Sequence, residues 1–498
     1  MERKGSVTVF LALMLSLLLS LVCTSIESVR MAAARTQILN SVDIGLYSLF
    51  GQYDKTLWED YDLFFLDGSC GGGMLKMAHI YDNMESYMKP VLKENSQKLS
   101  VVQGGFTGYR LATDEDGEVF YHQVIRYMQD TLGSQGVQLL LDKIQNREAK
   151  VKEAERIGRQ AEEGNAIESY KTEMDAAARN SQAALEEAQK KAQQEAEANG
   201  GIQPPAEFDS GEKPKDVVNP ITVIRRIRKM GILELVIPAG KGISEKTVSK
   251  QSLVSGRSLQ RGMPLFGGMS KDTSYTSQLL FQQYLMGKLG NYQKPSETGL
   301  AYQIEYILNG KTGDMENLKA VAKKLLVIRE GVNFTCLLAD SGKRAQVEAL
   351  ALAIASAFLI PPAAAVIEGA LLVCWSFAES ILDVRELFDG GRVPLVKKAA
   401  DWQLSLENLP NLLEGLDSAR RGTSDGMSYE DYLQVMLLAQ GKAKKLQRGM
   451  DMVELAVRGK DGRGNFCLDS CIAAIEVSVD VKANKRKAFT VTKQYCYD

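Results

Sequence analysis

Histidine is nearly missing from this chain of 498 residues: His79 and His122 are the only two, and they are not spaced as ligands. A histidine-based metal site and a Ser-His-Asp triad are therefore poorly supplied. An excess of either charge is missing too, with 60 basic residues against 62 acidic ones. Nothing implies a polyanionic partner, and nucleic acid is not expected. Two short motifs fall short of what they suggest. Gly310-Lys311-Thr312 would need a glycine at position 305, where Glu305 stands, and an upstream strand, before it could cradle a phosphate. It reads instead as a helix end followed by a new start capped by Asp314. Asp114-Glu115-Asp116-Gly117 lacks the spaced ligands of a calcium loop and reads as a turn. No catalytic, cofactor-binding or metal-binding residue is assigned from these patterns.

The most informative absence is of charge. From Ser6 to Ile26 not one charged residue occurs, a run of about 21 residues behind the basic tip Met1-Glu2-Arg3-Lys4-Gly5. At about 1.5 Å per residue such a helix reaches roughly 31 Å, close to the roughly 30 Å hydrocarbon layer of a bilayer. A Lys, Arg or Asp at mid-membrane costs on the order of 2.5–3.5 kcal/mol, so a spanning helix requires a run of this kind. Three fates are open for it. A cleaved signal would use Ala32-Ala33-Ala34, which lies beyond Glu27 and Arg30, and a lipoprotein signal would use Cys23, which follows the branched Val22. An uncleaved anchor, or one trimmed only after Gly5, keeps the basic tip in the cytoplasm and fits the long run best. Beyond Ile26 no Pro or Gly interrupts until Gly45, and Ile38, Val42, Leu46 and Leu49 recur at helical spacing. One helix from Ser6 to about Phe50 is expected, apolar all round in lipid and amphipathic outside it.

The rest of the chain divides by texture. Residues 27–136 hold the outer helix and the first strands of an α+β domain, with strands at Leu99–Val102, Tyr109–Ala112 and Glu118–Tyr121. Residues 137–200 are rich in Ala, Glu, Lys and Gln and predict a solvated helical insertion, turned at Gly164-Asn165. Residues 201–220 carry four prolines and form a linker. Residues 221–460 are mostly helical, with a basic helix at Ile221–Met230 and a strand at Ile232–Ile237. Val347 to Phe377 is apolar enough to pass for a second membrane span. Pro361-Pro362 splits it into two helices of about 14 residues each, too short to cross and better placed in a core. Glu379, Asp383 and Arg385 then lead the second helix out to polar surroundings. In residues 461–498 the alternation Ile475, Val477, Val479, Val481 predicts a hairpin that pairs with the earlier strands and lies on the long helix. Among Cys467, Cys471 and Cys496 one disulfide is as consistent with the pattern as unpaired thiols. The fold class expected is α+β, mostly helical.

Several stretches resemble a known group. The start Lys4-Gly5-Ser6-Val7-Thr8-Val9-Phe10, the block Glu27 to Arg35, YDKTLWEDYDLFFLD (53–67), GLAYQIEYILNGKTGDMENL (299–318), LLVIREGVNF (325–334) and CWSFAESILDVRELFDGGRVPLVK (374–397) are similar to single-pass surface proteins of Gram-positive bacteria. Those are grouped with minor pseudopilins, the TadE/TadG-like proteins of the tight-adherence (Tad) pilus. The resemblance implies place and company rather than a reaction: a cell-membrane protein with its N-terminus inside and its bulk outside, whose partners are the lipid bilayer and other pilus subunits. It also implies that Gly5–Ser6 is a prepilin-peptidase junction. Phe10 stands where pilins carry the glutamate that offsets a neighbour's new terminal ammonium. An unpaired ammonium in an apolar bundle costs several kcal/mol, so Phe10 argues against a place in a filament shaft. A surface adhesin using the 137–198 arm is the alternative. A tethered hydrolase comes third, since no motif places a pair of its many acids.

Overall fold

A computed structural model describes residues 3–93, 99–163, 172, 176, 219–265, 269–357, 363–416, 426–483 and 487–497. Helix α1 runs without a break over Arg3–Phe50, as the absence of internal proline allows, and is about 72 Å long at 1.5 Å per residue. Its outer half buries Ala34, Ile38, Val42, Leu46 and Leu49 against Ile80, Met84, Met88 and Leu92 of α3 (Met77–Lys93). Gly45 permits the close approach of the two helices: a Cβ there would sit 2.7 Å from Cγ of Met88. Between them come the short helix α2 (Lys55–Tyr61) and the two-residue strand β1 (Leu66–Asp67).

The sheet forms as the alternation requires. Strand β5 (Cys471–Ala483) pairs antiparallel with β2 (Ser100–Leu111) on one side and β6 (Lys487–Cys496) on the other, with β1 beside its first two residues. Ile475, Val477, Val479 and Val481 share the face that joins α1 and α3 in one small core. Glu476 and Asp480 lie on the opposite face, where Thr107, Gln103 and Thr490 bond them. The hairpin, its pairing with the earlier strands and its seat on the long helix all agree with the alternation; residues 484–486, between β5 and β6, lie outside the described residues.

A larger helical core follows. It is built from α4 (Asp114–Glu163), α5 (Pro220–Ile227), α6 (Ile232–Val236), α7 (Tyr275–Lys288), α8 (Gln303–Asn309), α9 (Asp314–Ala339), α10 (Ser341–Ala357) and α11 (Ala364–Asp389). The ribbon of β3 (Arg392–Val393) and β4 (Met427–Ser428) comes next, then α12 (Tyr429–Ala439) and α13 (Lys442–Arg458).

Four expectations are corrected. The two strands in 99–112 are one, β2, and Glu118–Tyr121 is helical: Val119, Phe120, Val124 and Ile125 bury one helix face, which a short apolar run cannot distinguish from a strand. Ile232–Ile237 forms no strand. Arg385 donates to the carbonyls of Leu235 and Ile237 at 3.1 and 2.8 Å, so this backbone is satisfied without a neighbouring strand. The second apolar helix, α11, has 26 residues and not 14, and Glu379, Asp383 and Arg385 do not lead it to solvent but lie buried. The described half of the charged insertion does not project freely either: Ile144 and Val151 are buried, and Val151 belongs to the helical core. Gly164-Asn165, most of the 201–220 linker and Pro361-Pro362 lie outside the described residues.

Candidate functional site

The first feature that could act on something outside the chain is the naked half of α1. Every large apolar side chain from Val7 to Val29 that the structure describes is exposed, with Phe10 63% and Leu17 66% accessible. An apolar surface of that extent marks a membrane or partner contact. Thr24 and Ser25 turn their hydroxyls back to the Leu21 carbonyl at 2.9 Å, which satisfies them inside the helix as a lipid surrounding demands. By length and composition α1 is a candidate membrane span. Helix α11 passes the same test, yet 78% of its apolar window is buried in protein, so it is a core helix. Gly5 and Ser6 lie in the first turns of α1.

The second feature is a buried set of charges that joins α9, α11 and the segment after β3. Arg329 donates from Nε to Asp383 Oδ2 at 3.0 Å, with Nη2 2.9 Å from the same oxygen as an ion pair, and from Nη1 to the carbonyls of Pro394 and Leu395. Lys397 bridges Asp383 Oδ1 at 2.6 Å and Glu379. The Glu379 carboxylate also accepts the amides of Gln403 and Leu404, both at 2.9 Å. Asn333 completes the set with bonds to Ser380 and Asp383. Two cations meet two carboxylates. Burial pushes Glu379 up against the pull of Lys397; for Asp383 the burial is more than offset by Arg329 and Lys397, and its carboxyl stays below the ordinary range. The side chains of Arg329, Asp383, Glu379 and Lys397 are at most 1% accessible and hold one another in place.

Other charges behave similarly. Arg228, in the basic helix expected over Ile221–Met230, pairs with the buried Glu330, and its guanidinium lies 4.2 Å from the Phe377 ring centroid. Asp314 does not cap its own helix. Its carboxylate accepts the amides of Ala301 and Tyr302 and the hydroxyl of Ser244, while Asn317 bonds the carbonyls of Lys311 and Gly313.

A third feature is a cleft of about 900 Å³ where the sheet core meets the helical core, bounded by Arg110, Asp114, Gln260, Arg261, Gln447 and Met450 among others. The turn at its rim is left-handed: Glu115, Asp116 and Gly117 have φ of 54°, 60° and 90°. Each non-glycine residue so placed costs roughly 1–2 kcal/mol. Glycine is required at 117, because a Cβ would lie 2.6 Å from Cε of Met450. The turn expected at 114–117 is thus real, but its carboxylates serve other ends. Asp114 accepts the amides of Leu111 and Gly262, and Asp116 pairs with Lys271 at 2.8 Å. Among the described residues no cluster of three metal-ligating side chains occurs. His79 and His122 sit on separate helices, α3 and α4. Among the described residues there is also no disulfide. Cys471 points into the core and contacts the Cys467 carbonyl at 3.7 Å, while Cys496 lies exposed at the end of β6 opposite Ala474, so the proposed bridge among Cys467, Cys471 and Cys496 is not formed.

Residues 210–483, more than half of the chain, match a protein family described as a family of unknown function (DUF5702). The chain belongs to that family. The DUF5702 segment takes in Arg329, Glu379, Asp383 and Lys397, and it ends with the last residue of β5. Helix α1, β2 and β6 lie outside it. Searches of curated proteins and of solved structures return no match. Sequence reasoning missed the buried charges as a set. The signal was present in Glu379 and Asp383, two acids four residues apart in a largely apolar helix, since such groups are almost never buried unless paired.

Proposed function

We propose that this DUF5702 protein is a membrane-anchored structural protein of pseudopilin type, serving a Tad-like pilus or secretion apparatus at the cell surface. The observation that carries the reading is α1. One uninterrupted helix leaves its first half bare and uses its second half as the mast on which α3 and the sheet are packed. A bare helix of this length is stable in lipid, where its backbone bonds are all internal and its apolar side chains need no other cover. The basic tip retains the N-terminus on the cytoplasmic side, and the folded body stands outside. The resemblance of the N-terminal stretches to pseudopilins supports the pilus assignment. Phe10 favours a subunit that stays in the membrane, or one at a tip or base, over a repeating shaft subunit.

Mass spectrometry of the native N-terminus tests this directly. A chain beginning at Ser6 supports prepilin-type processing, and an intact Met1 supports a plain anchor. A start near Arg35 means secretion and defeats the reading. Co-purification with a pilus motor is the expected company.

A further inference from the structure

A second, smaller cavity of about 390 Å³ lies between the end of α9, the start of α10 and the segment after β3. Its walls include Asp340, Lys343, Lys397, Lys398 and Trp402. We propose that it binds a small oxyanion, a carboxylate or a phosphate. Donors there outnumber acceptors. Each ammonium has three N–H bonds to give. Lys343 spends one on Asp340 at 2.8 Å, and Lys397 spends two on Glu379 and Asp383. The Lys398 ammonium has no partner among the described residues, and only its backbone amide is engaged, with Asp401.

The indole supplies the decisive detail. Trp402 Nε1 is shielded from solvent and has no hydrogen-bond partner among the described residues. Trp375, packed edge-on against it at 5.7 Å, donates its own Nε1 to the Leu404 carbonyl at 2.8 Å. A buried donor left without an acceptor is rare and costly, and calls for a group that completes it. The ammoniums of Lys343 and Lys397 stand 5.3 and 5.5 Å from the centroid of the same ring. An anion with two or more oxygens would satisfy the indole N–H and the spare ammonium donors together. Three lysines, Lys343, Lys397 and Lys398, line the cavity against one acid, Asp340, and Asp401 stands outside that lining on the backbone amide of Lys398. Lys397 is held rigidly by the buried set, so the site is organised before a ligand arrives.

The test uses the full chain in nonionic detergent, titrated by calorimetry with inorganic phosphate and with acetate at constant ionic strength. Saturable binding tighter than about 1 mM is expected for at least one of them. Lys343→Gln and Trp402→Phe, which keeps one aromatic ring but removes the N–H together with the rest of the indole, should each weaken it about tenfold. Lys294→Gln, whose side chain is surface-exposed and paired with Glu430, should leave it unchanged. Unaltered circular dichroism and melting show that each variant is folded. The absence of saturable heat from both anions up to about 10 mM overturns the proposal, and so does binding that Lys343→Gln and Trp402→Phe leave intact. Neither result bears on the membrane reading, which rests on α1.

Discussion

Glu305 shows how one buried residue can set a pH response. Its Oε1 accepts the Tyr292 amide at 2.8 Å and the Tyr429 hydroxyl at 2.6 Å, while Oε2 is buried without a partner among the described residues. Burial pushes its carboxyl up to about 7 from 4.5, with the two hydrogen bonds pulling the other way and Asp314 adding to the rise. Below 4.5 both folded and unfolded chains carry the proton, and stability is undiminished. As pH rises toward 7 the unfolded chain ionises first, so the fold loses on the order of 3 kcal/mol across that window. Glu305→Gln, which mimics the protonated form, should flatten this decline in denaturant titrations between pH 4.5 and 7.5. Parallel curves for the two proteins would dismiss Glu305 as the cause. At the same scale, the charged residues of α11 illustrate a limit of sequence reading. Glu379 and Asp383 are visible as acids in an apolar helix, but Arg329 lies 54 residues before Asp383, and no local pattern connects them.

Among the elements, α1 is the one most fully legible from its residues. Its length follows from missing prolines, its bare half from missing charges, and its buried face from the spacing of Ile38, Val42 and Leu46. These are local properties, and a helix is stabilised by bonds within four residues. Helix α6 is the opposite case: Ile232–Val236 is too short to declare itself, and Arg385 on another helix satisfies its carbonyls. Val42 is fully buried between α1 and the small core. Val42→Asp should destabilise that core by on the order of 4 kcal/mol, since it buries an unpaired carboxylate. Amide hydrogen exchange should then quicken in β5 and β6 while α9 and α11 keep their protection. Equal loosening of both regions would mean that the two cores melt as one.

At the level of the whole molecule, the bare rod and the folded body are separable. No described side chain from Val7 to Val29 is buried, so removing residues 1–29 costs no packing that the described residues show. The truncated chain should run as a single species in size-exclusion chromatography without detergent and melt within a few degrees of the full chain. Aggregation of that truncated form would show that apolar surface elsewhere also needs cover. The family match covers the helical core from residue 210 on and β5, and leaves aside α1 together with α2 to α4, β1, β2 and β6. The amino-acid order by itself determined the rod, the mostly helical α+β class and the closing hairpin, because each follows from periodicity or from missing charge over one short stretch. Tertiary structure alone decided that Arg329 meets Asp383 inside the body, and that Lys343 comes to the cavity wall that holds Trp402. Those groups lie far apart along the chain, and only packing brings a donor within reach of its acceptor or leaves it waiting for one.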